Sequence, residues 1–158
     1  PQNAIVDLRF NGGGTDATAK ISKELPKLIG KNGKIYVITS AETFSAGIGA
    51  AATIKLHGKE QVLIVGEQVG DRLRFIANGG TPLKLPNSGI SVNVWSSVED
   101  YADGCWDWED CFWLSPMFRT EGVGNLTPDI PVSPSFDDYL GGNDTVVETI
   151  LSDINKMM

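Results

Sequence analysis

Ser45 is the residue whose surroundings most invite chemistry. It stands where an apolar stretch, Lys34–Thr39, hands over through Ser40–Phe44 to a run of small residues, Ala46-Gly47-Ile48-Gly49-Ala50-Ala51-Ala52. A serine at a helix start sits at the positive end of the helix dipole, among N–H groups that the helix itself leaves unused. Small residues behind it let the helix pack tightly under the turn, as a nucleophile on a strand-to-helix elbow requires. The Ala46 N–H could then point at a developing oxyanion. The competing reading is an ordinary N-cap, a place that serine and threonine favour.

A glycine run, Asn11-Gly12-Gly13-Gly14, follows the buried-strand pattern Ala4–Phe10. It exposes backbone N–H groups that could supply a second oxyanion donor, or could cradle a phosphate ahead of a helix. The Walker pattern fails because no Gly-Lys-Ser/Thr follows. The dinucleotide fingerprint fails because Thr15-Asp16 stand where its last glycine belongs. No cofactor is expected.

A nucleophilic serine needs a base. The single histidine, His57, lies in Leu56-His57-Gly58-Lys59, which reads as a helix exit. Twelve residues of straight helix would put it about 18 Å from Ser45, so the expected role is a favourable contact with the helix dipole. The carboxylates of Glu99, Asp100, Asp103, Asp107, Glu109 and Asp110 could orient a base or form a solvated loop. Trp95, Trp106, Trp108 and Trp113 could line a cleft or cover a sheet edge.

Cys105 and Cys111 bracket a short segment in that loop. A disulfide closing so small a ring would contribute roughly 2 kcal/mol; two reduced thiols are the alternative. No second pair of Cys or His ligands accompanies them, so no metal is expected. The disulfide reading carries with it an extracytoplasmic location, periplasmic or secreted.

The elements that must position these residues follow an α/β alternation. Strands are expected at 4–10, 34–39 and 61–65, with helices from Thr15 or Asp16 to Ile29 and from Ala46 to Leu56. Ala17, Ile21, Leu25 and Leu28 would form the apolar face of the first helix, with Pro26 late in it. Strands separated by single helices become parallel neighbours, and the loops after them gather at the carboxyl edge of the sheet. Those loops are Asn11–Gly14, Ala41–Ser45 and Gly66–Arg72. Beyond them, Leu83–Val94 alternates around a turn at Pro86–Gly89, as a hairpin does. Leu126–Val132 is extended and punctuated by prolines, and Asp144–Lys156 has helical periodicity.

With 158 residues, 41% hydrophobic and 21% charged, the chain suits one globular domain spanning 1–158. A net charge of −7 argues against nucleic acid and anionic lipid as partners. No apolar run is long enough to span a bilayer. Pro1-Gln2-Asn3 leads directly into a core-strand pattern without an initiator Met, which reads as a piece of a longer chain.

Taken in order, several segments resemble the C-terminal-processing (tail-specific) serine peptidases. They are Val6–Gly14, Thr43-Phe44-Ser45-Ala46-Gly47, Val65–Gly70, Leu85–Gly89 and Thr127–Val132. The ending Phe136–Leu140 and Thr145–Leu151 is similar to members without the PDZ insertion. The resemblance implies a ClpP/crotonase-like fold and a peptide or protein substrate. It makes Ser45 the nucleophile and gives the oxyanion hole to the N–H groups of Gly13, with or without Gly12, and of Ala46. Arg9 becomes a buried structural charge near that loop. One departure stands out. Where the best-known branch has a lysine base on the loop matching Gly66–Arg72, this sequence has Asp71-Arg72, and a guanidinium stays protonated. A branch resembling the tricorn core takes its histidine base from upstream of the glycine loop, so the base is expected before Pro1. The rival from another class is an inactive peptide-binding or scaffolding module of the same fold. A crotonase-like acyl-CoA enzyme would share the fold but gives no reason for a serine at position 45.

Overall fold

The computed structural model describes residues 1–14, 18–107, 109–111 and 121–157. In chain order the elements begin with β1 (Ala4–Asp7), α1 (Ala19–Leu28), β2 (Ile35–Thr39), α2 (Ala46–Gly58) and β3 (Val62–Gly66). The short strands β4 (Arg74–Ile76), β5 (Leu83–Lys84), β6 (Ser91–Val92) and β7 (Val98–Asp100) come next. β8 (Ile130–Pro131), α3 (Phe136–Gly141) and α4 (Thr145–Met157) close the chain. Two compact units form, one from Pro1–Asp71 with Leu126–Met158, the other from Arg72–Asn125.

The first unit is built on a four-stranded parallel sheet in the order β1-β2-β3-β8. β2 is buried at every position, which explains why Ile35-Tyr36-Val37-Ile38 does not alternate with polar residues. Tyr36, Ile38 and Val65 meet Val146 and Ile150 of α4 in one apolar cluster. The Tyr36 hydroxyl donates to Asp153 Oδ2 at 2.8 Å, and burial pushes this phenol above its ordinary pKa. Asp129 fixes β8 by exchanging hydrogen bonds with Ile64, its N–H donating to the Ile64 carbonyl and its Oδ2 accepting the Ile64 N–H, both 2.8 Å.

Three sequence expectations need correction here. β1 stops at Asp7, because Asn11 N–H donates to the Leu8 carbonyl and closes a turn over 8–11. It is also an edge strand with alternating exposure rather than a buried one. In α1 the inward residues are Ser22 and Pro26, whereas Ile21 and Leu28 are more than 60% exposed. The compact Pro26 ring lies against Gly58 at the end of α2. Thr15, Asp16 and Ala17 lie outside the described residues.

The second unit contains antiparallel β4–β7 and the expected hairpin β5–β6, with Leu83 opposite Val92. Cys105 and Cys111 are joined in a disulfide. Among the described residues, no helix is long and apolar enough to cross a membrane and no metal-binding cluster occurs.

Candidate active site

The segment after β2 is tied down by bonds to the exit of β1. Thr43, fully buried, donates from Oγ1 to the Leu8 carbonyl at 2.8 Å and accepts the Ser40 N–H at 2.9 Å. Ser40 Oγ donates to the Arg9 carbonyl, and Phe44 N–H donates to the Asn11 carbonyl at 3.0 Å. These bonds hold Ser45 at φ 49°, ψ −118°, a region that costs a non-glycine residue about 1–3 kcal/mol. Ser45 stands at the N-cap position of α2, yet its side chain makes no capping bond. The usual reason for a serine in this place is therefore missing.

The glycine loop lies over that serine. A Cβ built on Gly13 would fall 2.6 Å from Ser45 Cβ, 3.1 Å from Ser45 Oγ and 3.2 Å from the Ala46 nitrogen. Gly13 has φ 104°, so two independent constraints require glycine there. Gly47, two residues beyond Ser45, makes the contact possible from the other side: a Cβ on it would lie 2.4 Å from the Asn11 carbonyl oxygen. Gly12 faces open space. Gly13, Ser45 and Ala46 thus share one small volume at the carboxyl edge of the sheet.

Asn11 organises this loop, and no sequence pattern singled it out. Its carbonyl accepts from Phe44, its Oδ1 accepts the Gly13 N–H at 3.1 Å, and its side chain rests near the Gly47 Cα. The Gly13 N–H is consequently occupied in this state, while the Ala46 N–H has no acceptor among the described residues. The Asn-x-Gly spacing was the available signal, since an asparagine side chain readily bonds the N–H two residues on.

Arg9 clasps the base of the site. Its guanidinium pairs with Asp7 at 2.6 Å and Asp144 at 2.7 Å, and Asp144 Oδ1 also accepts the Val146 and Val147 N–H groups at the start of α4. Hydrogen bonds from Arg9 hold both carboxyls below the ordinary aspartate range. Arg9 is mostly rather than fully buried, with 15% of its side chain exposed.

The Gly66–Arg72 loop meets the serine segment through Gly70, whose N–H donates to the Thr43 carbonyl at 3.0 Å. His57 is in the last turn of α2, at the opposite end of that helix from Ser45. In the second unit Glu99 accepts from Asn78 Nδ2 and the Tyr101 hydroxyl, both at 2.6 Å. Asp100 accepts the N–H groups of Ala102 and Asp103. Glu99 thus ties Asn78 to Tyr101, and Asp100 holds the turn that follows it. Trp95 and Trp106 are exposed, and Trp108 and Trp113 lie outside the described residues.

No family model and no curated protein matches the chain. Among solved structures it is similar to a Parabacteroides merdae protein designated a peptidase, at 20% identity and a TM-score of 0.58. That match covers 96% of this chain and 51% of the other. It is also similar to the tricorn protease, at 21% identity and a TM-score of 0.53, over 99% of this chain and 15% of that one. The chain thus spans about half the length of the first structure and a much smaller share of the second. Its fold, a parallel α/β sheet flanked by helices, is the one found in these peptidases.

Proposed function

We propose that this chain carries the nucleophile of a serine endopeptidase of the tail-specific type, with Ser45 attacking a peptide carbonyl. The observation that carries the reading is the strained, uncapped Ser45 set against Gly13 and the Ala46 N–H. A binding module would have no use for that strain. In the reaction Ser45 Oγ forms a bond to the carbonyl carbon and its proton passes to a base. The carbonyl oxygen takes the displaced electron pair and is met by the Ala46 N–H. The Gly13 N–H joins once Asn11 Oδ1 yields it. Collapse of the intermediate breaks the C–N bond, the amine leaves with a proton, and water hydrolyses the acyl-enzyme.

Arg72 cannot serve as the base, and His57 is at the wrong end of α2. We assign the base to a segment preceding Pro1 in a longer protein. The Cys105–Cys111 bridge supports an extracytoplasmic setting for that protein. The occupied Gly13 N–H and the missing lysine favour the second reading, an inactive peptide-binding module. Fluorophosphonate labelling separates the two. Covalent labelling at Ser45 in the longer protein, lost in Ser45→Ala, is the expected result. Absence of labelling, together with peptide binding that Ser45→Ala leaves intact, overturns the peptidase reading.

A further inference from the structure

Beside the Ser45 site, the carboxyl ends of the four parallel strands enclose a cavity of about 220 Å³. That volume suits one side chain, since sites for whole small molecules run to about 300–1,000 Å³. Phe10, Ala41, Val132, Pro134 and Val146 form apolar walls. The polar lining divides into committed and uncommitted groups. Thr39 Oγ1 donates to the Glu67 carbonyl at 2.7 Å, Ser40 Oγ to the Arg9 carbonyl, and Arg9 is matched by Asp7 and Asp144. The side-chain carboxylates of Glu42 and Glu67 have no partner among the described residues.

This balance decides what the cavity accepts. An arginine at a sheet edge is well suited to capture the terminal carboxylate of a peptide. Here Arg9 already carries two carboxylates, and Glu42 and Glu67 add two more, so a further anion would be repelled. We infer that the cavity is a peptide subsite for a lysine or arginine side chain. The aliphatic stem lies along Phe10, Val132 and Pro134, and the cationic head meets Glu42 and Glu67. The role in specificity rests on the peptidase reading of Ser45. Glu42 is three residues from Ser45, at most about 10 Å along an extended chain, so the preference belongs within about three positions of the scissile bond.

The test uses matched fluorescent peptides carrying Lys, Leu or Glu at one position, scanned along the sequence. Binding is measured on Ser45→Ala and hydrolysis on the unaltered longer protein that includes the segment assigned the base. At one position Lys is expected to exceed Leu by about tenfold and Glu to be rejected, an ordering that high salt weakens. In Glu42→Gln/Glu67→Gln the Lys-to-Leu ratio should fall to about one. Equal Lys and Leu at every position, a ratio that survives the double substitution, or no binding of any peptide overturns the inference. Lys-selective binding lost in the double variant, without hydrolysis, upholds the subsite and discards the peptidase reading instead.

Discussion

At Gly47, helix propensity and packing make opposite predictions for Gly47→Ala. Inside an ordinary helix the change stabilises by about 0.5–1 kcal/mol. Here the new Cβ would lie 2.4 Å from the Asn11 carbonyl oxygen, where real contacts stay above 3.0 Å. Loop and helix must therefore part by about 0.6 Å in a closely packed region. That oxygen accepts the Phe44 N–H at 3.0 Å. Stretching the bond costs about 1 kcal/mol, and overpacking a further 1–3 kcal/mol or so. Packing outweighs propensity, and the expected net loss is about 1–3 kcal/mol. The same shift carries Asn11, and with it Gly13, away from Ser45. A misplacement of 1 Å can cost about 100-fold in rate, so a drop of about tenfold in fluorophosphonate labelling of the longer protein is expected. Urea unfolding gives the stability change as a shift in midpoint at constant slope. Gly30→Ala is the control, since Gly30 faces open space without a positive φ, and its stability should hold or rise slightly. A Gly47→Ala protein as stable as the parent, labelled at the same rate, would refute the packing argument.

Gly13→Ala should cost about 1–3 kcal/mol and abolish labelling, because a positive φ and a clash with Ser45 coincide there; Gly12→Ala, in open space, should do neither, and similar thermal melts for the two would contradict this. Ser45→Gly should raise stability by about 1 kcal/mol by releasing backbone strain, while Ser45→Ala should be nearly neutral because no capping bond is lost; a calorimetric loss on Ser45→Gly would show that the strain is absent. Asp7 and Asp144 have depressed pKa values when folded, so their stabilisation is present at neutral pH and is lost as pH falls from the unfolded value near 3.8 through the folded values. Asp144→Asn should accordingly lose less stability than the parent on acidification below that value, and parallel pH profiles would count against the clasp. Reduction of Cys105–Cys111 should lower the stability of the segment it closes by about 2 kcal/mol, and quantitative alkylation without reductant would show the bridge to be unformed.

Much of the sheet was legible because its pattern is long and unambiguous. Ile35–Thr39 and Val62–Gly66 are unbroken apolar runs, and small residues after Ser45 announce a tightly packed helix. Parallel topology then brings the Asn11 and Ser45 loops to one edge. What escaped was short or non-local. β8, two residues within the extended Leu126–Val132 segment, gave no sign of its parallel pairing with β3, and β4 and β7, three residues each, are too short to show a period. α3 buries no residue, so no apolar stripe marks it. The inward face of α1 misled because Ser22 and Pro26 are chosen for compactness rather than hydrophobicity. The Asn-x-Gly spacing signalled only the local half of Asn11's role, because its carbonyl accepts from Phe44, more than thirty residues away, and no local pattern records that bond.

The parallel sheet also has a consequence for synthesis. The strands and loops around Ser45 all precede Asp71, but β8 and α4 come last, and Arg9 waits for a carboxylate 135 positions further on. A nascent chain emerging amino end first would hold the elbow and its glycine loop while Tyr36, Ile38 and Val65 still lacked their cover from Val146 and Ile150. An uncovered apolar face on a parallel sheet favours association with other chains. A ribosome stalled before residue 144 would thus display a sticky, half-clasped intermediate, and completion of α4 is the step that releases the protein from that hazard.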